Sequence, residues 1–139
     1  RRVDDATQPA AGSQLMEELK HHHGCPTGEA RMTKAYNLPP SYVIHTVGPV
    51  WRDGNHDEDR LLASAYESGL ELARQYRLKT LAFPAISTGV YRFPLERATQ
   101  IALESVVTFL EKHDYPSQIY FVCFDEETYD TYQRLYQQL

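Results

Sequence analysis

Apolar residues recur at spacings of three and four in four stretches of the chain, and this period predicts four amphipathic helices. We expect the first helix to follow Ser13 as N-cap and to end near residues 21–24, where glycine stops it. The second spans about 59–76, the third follows Pro94, and the fourth follows Asp125 as N-cap. The positions expected to face the core are Leu15 and Leu19 in the first helix; Leu62, Ala65, Tyr66, Gly69, Leu70 and Ala73 in the second; Ala98, Ile101, Ala102, Ser105, Val106 and Phe109 in the third; and Tyr129, Tyr132, Leu135 and Tyr136 in the fourth.

Short apolar and β-branched runs between these helices predict four strands, at residues 29–34, 42–47, 81–86 and 118–124. Gly48 and Pro49 end the second strand, and the segment from there to Asp59 is predicted to be a loop. Strands that alternate with helices favour a sheet covered by helices on both faces. The fold class predicted from this pattern is α/β.

The stretch 82–94 joins the third strand to the third helix and carries the most informative local sequence. It reads Ala-Phe-Pro-Ala-Ile-Ser-Thr-Gly-Val-Tyr-Arg-Phe-Pro. The small residues at 87–89 let the backbone turn with free N–H groups, and Pro94 suits a first helical position. Such amides, with the positive end of a helix dipole, attract a phosphate without a lysine. An ordinary strand-to-helix turn explains the same residues, since one glycine is a weak signal.

Length and charge narrow the class of protein. The 139 residues suit one compact domain, and we expect it to span 1–139. The net charge of -5 argues against nucleic acid as a partner but leaves room for one small anionic ligand. Without a long apolar run or a basic-then-apolar leader, we expect no membrane partner and a cytoplasmic location. Cys25 in a loop and Cys123 in a strand are expected to be free thiols.

Metal and covalent chemistry find little support in the sequence. The adjacent histidines at 21–23 point in different directions around a helix, so we expect them on the surface at its C-terminal end. His45 alternates within an apolar strand, which is typical of a hydrogen-bonded core histidine. No zinc-type spacing, nucleophile elbow or Walker loop occurs, so no metal and no cofactor is expected.

Several segments together resemble the macrodomain family. They are residues 25–30 (Cys-Pro-Thr-Gly-Glu-Ala), 42–49 (Tyr-Val-Ile-His-Thr-Val-Gly-Pro), 82–90, and 120–125 (Tyr-Phe-Val-Cys-Phe-Asp). They are most similar to the MacroD-type branch, whose members bind ADP-ribose and hydrolyse O-acetyl-ADP-ribose or remove mono-ADP-ribose from acidic side chains. The resemblance covers nearly the whole chain and implies a three-layer α/β/α fold with a mixed sheet.

The resemblance also implies roles for individual residues. Asp4, after Val3, matches an aspartate that positions or activates the attacking water, and a solvated carboxylate is the alternative interpretation. Phe124 matches a position where an aromatic ring packs near the adenine, and core packing explains it equally well. The residues that match the wrap around the diphosphate and the distal ribose are Ser87, Thr88, Gly89, Val90 and Tyr91.

The chain departs from the family pattern near its start. Arg1 and Arg2 stand where the family has glycines, and Asp5 replaces the glycine after the aspartate, which affects how closely the backbone can approach a phosphate. In the family two strands precede this point, with an adenine-binding aspartate and a ribose-binding asparagine. One of those strands lies in the middle of the sheet, so we expect an N-terminally incomplete fold in which two neighbouring strands lack a partner.

Three functions follow from the match and the departures. The first is hydrolysis of O-acetyl-ADP-ribose or of mono-ADP-ribosylated acidic side chains, with ADP-ribosylated proteins as possible partners. The second is an ADP-ribose-binding module without catalysis, which the altered glycine loop favours. The third is an inactive truncated fragment, which the missing strands favour.

Overall fold

The computed structural model describes residues 24–34 and 42–139, and these form four strands and three long helices. In chain order they are β1 (Ala30–Lys34), β2 (Tyr42–Thr46), α1 (Glu58–Gln75), β3 (Thr80–Pro84), α2 (Leu95–Lys112), β4 (Gln118–Val122) and α3 (Glu126–Tyr136), with a 3₁₀ turn at Gly89–Tyr91 between β3 and α2. The helix predicted after Ser13, the histidines at 21–23 and Asp4 lie outside the described residues, and one domain over 1–139 stays a prediction.

The strands pair in two separate ways. β1 and β2 are antiparallel, with Ala30 opposite Thr46, whereas β3 and β4 are parallel, with Thr80 opposite Gln118. Within residues 24–34 and 42–139, no strand pairs the second edge of β2 or of β3. A cavity of about 920 Å³ is lined by both of these strands. The described strands therefore form two separate two-stranded sheets that both border this cavity.

Helix α1 is the central support of the described fold. It packs against β1, β2 and α2, and all six of its predicted core positions are buried. Ser64 and Ser68 of this helix both donate to the Gly28 carbonyl oxygen, at 2.8 and 2.9 Å, which attaches the segment before β1. The 3.6-residue period therefore located both the helix and its buried face.

An aromatic cluster joins α1 to the parallel strands and to α3. The Tyr66 and Phe83 ring centroids lie 5.0 Å apart, Phe83 stacks on Phe121 at 6.2 Å, and Phe121 contacts Tyr132 at 5.0 Å. Offset and edge-on aromatic contacts of this kind add stabilisation beyond the burial of their area. The core thus passes continuously from α1 through β3 and β4 to α3.

Several predicted element bounds and core positions differ from the structure. The strand predicted over 81–86 ends at Pro84, and Pro94 is the N-cap of α2 rather than its first residue. Tyr129 and Tyr136 are 53% and 67% exposed, so they do not belong to the inner face of α3. That face is formed by Thr128, Tyr132 and Leu135. Asp125 caps α3 as predicted, accepting the Thr128 N–H at 2.8 Å.

The predicted minor features can also be placed. His45 is a buried histidine whose Nε2 lies 2.9 Å from the Thr33 hydroxyl oxygen, as expected for a core residue. Cys25 and Cys123 are free thiols. In the part of the chain that the structure describes, no helix is both long and apolar enough to span a bilayer.

Candidate ligand-binding site

The loop after β3 is tightly wound and held by its own backbone. Ser87, Gly89 and Arg92 all have positive φ, at 67°, 70° and 62°. The Phe93 N–H donates to the Ser87 carbonyl and the Arg92 N–H to the Gly89 carbonyl, both at 2.9 Å. A 3₁₀ turn leaves its first N–H groups without partners inside the turn. Among residues 24–34 and 42–139 no backbone carbonyl accepts the N–H of Gly89 or Val90, so these two groups can face an anion.

Tyr66 fixes the point where the chain enters this loop. Its hydroxyl accepts the Ile86 N–H at 3.2 Å and donates to the Pro84 carbonyl at 3.4 Å. Burial raises the pKa of Tyr66 to about 12, so the hydroxyl remains a donor at every physiological pH. Both ends of the 84–86 segment are thus anchored to one side chain of α1.

Trp51 holds the other side of the loop. Its backbone N–H donates to the Tyr91 carbonyl at 2.8 Å, and its indole packs on Phe93 with 4.9 Å between ring centroids. The Arg97 guanidinium lies over the indole, 5.1 Å from the ring centroid, and forms a bidentate pair with Asp59. The Trp51 side chain therefore ties the loop to the N-terminal ends of α1 and α2.

Glu58 organises the segment that carries Trp51. Its carboxylate accepts four backbone N–H groups, from Arg52, Asp53, Gly54 and His56, at 2.6 to 3.1 Å. Burial opposes ionisation of this carboxyl, but the four hydrogen bonds outweigh it and lower its pKa to about 2. Sequence reasoning missed this residue, because nothing in the pattern distinguishes it from other glutamates that begin a helix.

Glu58 also belongs to a group that could be mistaken for a metal site. One ligand atom each from Asp53, His56 and Glu58 lie within 4.8 Å of one another. However, the two Glu58 oxygens accept backbone amides, and Asp53 Oδ1 accepts the Asn55 N–H and lies 2.9 Å from His56 Nδ1. These hydrogen bonds explain why the three side chains lie close together, since they hold the loop before α1 in place.

Gly48 allows the end of β2 to approach the loop closely. A Cβ atom at this position would lie 2.1 Å from Ser87 Oγ and 2.5 Å from the Ile86 Cγ2 atom, so any side chain displaces the loop. Ser87 Oγ is buried and has no hydrogen-bond partner within the described residues. Gly48 was predicted only as a strand break, and its contact with Ser87 is an additional role.

The loop, the open edges of β2 and β3, and the start of α3 surround one cavity. Ser87, Thr88, Gly89, Val90, Tyr91 and Phe124 all line it. Phe124 is 51% exposed, so it is not a core residue. The structure thus brings together every predicted binding residue, while Asp4 lies outside the described residues. Their roles toward a ligand stay predictions.

Comparison with known proteins identifies the family. The model of the Macro domain matches residues 1–102. A Macro domain-containing protein of Methanosarcina mazei is 56% identical over 126 residues, which are 91% of this chain and 67% of that protein. An O-acetyl-ADP-ribose deacetylase of Escherichia fergusonii is 53% identical over 137 residues, which are 96% of this chain and 77% of that enzyme.

Solved structures agree with the fold. A variant of the Oceanobacillus iheyensis macrodomain with ADPR superposes with a TM-score of 0.90 at 36% identity, covering 98% of this chain and 76% of that one. The Trypanosoma brucei macrodomain in complex with ADP-ribose gives a TM-score of 0.88 at 43% identity, covering 96% and 56%. The mixed strand directions and flanking helices are thus those of a macrodomain, and the chain belongs to the macro domain family.

Proposed function

We propose that this chain binds ADP-ribose in the cavity beside the 87–91 loop. The observation that carries the proposal is the loop itself, whose first turn leaves the Gly89 and Val90 amides available and whose entry and exit are anchored by Tyr66 and Trp51. Amides fixed in this way bind a diphosphate without reorganising. Relatives solved with ADP-ribose support the choice of ligand.

Phe124 supports the same ligand at the other end of the cavity. Its ring is half exposed at the start of α3, where an adenine could stack on it. One cavity borders both the 87–91 loop and Phe124, so a single ligand with a diphosphate and an adenine could contact both.

Calorimetric titration with ADP-ribose tests binding. AMP, which has one phosphate and no distal ribose, is the control ligand. We expect ADP-ribose to bind more tightly than AMP and to raise the melting temperature, because a ligand that binds only the native state stabilises it. Absence of both effects would rule out the binding proposal.

We further propose that the bound ligand is hydrolysed, as the names of relatives such as the Escherichia fergusonii deacetylase suggest. The substrates are O-acetyl-ADP-ribose or mono-ADP-ribosylated acidic side chains of partner proteins in the cytoplasm. In this mechanism the loop amides fix the diphosphate, and Asp4, with the ligand's own phosphate, orients a water toward the ester or the anomeric carbon. No metal takes part in these steps.

Asp4→Ala separates hydrolysis from binding. If the parent hydrolyses O-acetyl-ADP-ribose, we expect the variant to turn over about 10²-fold more slowly with nearly unchanged affinity, the effect of losing a general base. Asp5→Ala removes a neighbouring carboxylate and serves as the control. Equal rates for the parent and Asp4→Ala would remove Asp4 from the mechanism. A parent that binds without turnover would be a binding module instead.

A further inference from the structure

Arg92 adopts a backbone conformation that is unfavourable for its residue type. Its φ is 62°, in the left-handed region that glycine occupies without a steric penalty. The Arg92 N–H donates to the Gly89 carbonyl and the following N–H donates to the Ser87 carbonyl, so the peptide planes on both sides of Arg92 are held in this geometry. Strained residues that persist at such positions are concentrated at binding and catalytic sites.

The charge of Arg92 is also not used inside the described part of the protein. Five other arginines form ion pairs with carboxylates, namely Arg31, Arg60, Arg74, Arg97 and Arg134. Among residues 24–34 and 42–139, no carboxylate pairs with the guanidinium of Arg92. Arg92 lines the cavity, and it is the one arginine that does so among its described lining residues.

We infer that Arg92 is a ligand-contacting residue that binds a phosphate group of the ADP-ribose-type ligand. The inference rests on the proposed function and adds a charged group to a site otherwise built from backbone amides. The tight turn keeps Arg92 three residues from Gly89, within reach of an anion held by the loop. A guanidinium offers paired N–H donors whose geometry matches phosphate oxygens. The contact explains why an arginine occupies a position where glycine would be less strained.

Arg77 provides a matched control for this inference. It is an exposed arginine with φ 53°, it ends the turn after α1, and its N–H donates to the Arg74 carbonyl. It does not line the cavity. Arg92→Gly and Arg77→Gly therefore remove the same charge and relieve the same kind of backbone strain, and they differ in their distance from the ligand.

The test measures melting temperature and ADP-ribose affinity for both variants. We expect both to melt at or above the temperature of the parent, because glycine relieves the positive φ. Arg92→Gly should bind ADP-ribose about tenfold or more weakly, the usual effect of losing a charge-assisted hydrogen bond, and Arg77→Gly should bind like the parent. The affinity difference should shrink as salt rises, and Arg92→Lys should recover part of it.

Unchanged affinity in Arg92→Gly, or an equal loss in both variants, would overturn the inference while leaving the proposed function intact. A parent that does not bind ADP-ribose in the same titration would overturn the proposed function, and the inference with it. The two failures are distinguishable because the parent is measured first.

Discussion

The hydroxyl of Tyr66 lies 3.2 Å from the amide nitrogen of Ile86, and this contact joins α1 to the entry of the 87–91 loop. The two residues are twenty positions apart in the chain. Because the same hydroxyl donates to the Pro84 carbonyl, the loop cannot rotate about its entry without breaking two hydrogen bonds. The orientation of the following amides is thus set by α1 as well as by the loop.

Tyr66→Phe should therefore weaken both folding and binding. The Ile86 N–H and the Pro84 carbonyl lose their partner. For buried groups this loss lowers the free energy of unfolding by about 1–3 kcal/mol. Affinity for ADP-ribose should fall severalfold because the loop is less ordered before binding. Denaturant unfolding and calorimetric titration measure the two effects.

Thr99→Val is the control for that variant. Thr99 is fully buried on α2, and its hydroxyl donates to the Leu95 carbonyl at 2.8 Å. The substitution removes a buried hydroxyl of a helix without touching the loop, so stability should fall and affinity should not. If Tyr66→Phe binds as tightly as Thr99→Val, Tyr66 does not position the loop.

Gly89→Glu should abolish ADP-ribose binding while the chain still folds. Gly89 has φ 70° with no atom within 4 Å of an added Cβ, so the strain is local and no packing is lost. The new carboxylate would repel the diphosphate at close range. Gly24→Glu is matched, since Gly24 has φ 81° and equally open surroundings but does not line the cavity. Parent-like binding by Gly89→Glu would mean that the loop is not the phosphate site.

The sequence predicted the parts of this fold that depend on local pattern. The buried stripe of α1 follows from helical spacing alone, and Asp125 was identified as an N-cap from its residue type. The inner face of α3 was predicted incorrectly because Tyr129 and Tyr136 also fit spacings of three and four with Tyr132. Packing on α2 selects the stripe of Thr128, Tyr132 and Leu135 instead.

The anchors of the site could not be predicted because they join residues distant in the chain. The contacts of Tyr66 with Ile86, of Trp51 with Tyr91 and of Gly48 with Ser87 exist only after the elements pack. The loop itself was found because its composition and its position after an apolar strand are local features. Motifs thus indicated the loop that we propose as the ligand site, and tertiary contacts show what holds this loop in place.

Glu58→Gln should change the acid stability of the protein. The folded pKa of Glu58, about 2, lies below its ordinary value of 4.5, so ionised Glu58 stabilises the fold above pH 4.5 and this stabilisation is lost as the pH falls toward 2. The melting temperature of Glu58→Gln should be lower than that of the parent at pH 7, and the difference should shrink between pH 4.5 and 2. Glu67→Gln, on the exposed face of α1, is the control variant and should melt close to the parent at pH 7. A difference in melting temperature between Glu58→Gln and the parent that stays constant down to pH 2 would contradict the role of the carboxylate.

Adding a strand between β2 and β3 should stabilise the protein and strengthen binding. Neither strand has a partner on its second edge within the described residues, and both line the cavity. Each unpaired backbone group that becomes buried costs about 1–3 kcal/mol, against about 5–15 kcal/mol of net stability in a typical domain. We expect a chain extended upstream of Arg1 by the two strands that the family resemblance implies to melt at a markedly higher temperature.

The extension should also raise affinity for ADP-ribose, because a paired β3 holds the 87–91 loop that follows it in a more ordered conformation before the ligand binds. The control carries the same extension with two prolines in the central strand, which remove N–H donors and prevent pairing. That variant should melt and bind like the 139-residue chain. If the 139-residue chain already melts cooperatively at the temperature of the extended protein and binds equally tightly, then the second edges of β2 and β3 limit neither stability nor binding, and the prediction is wrong.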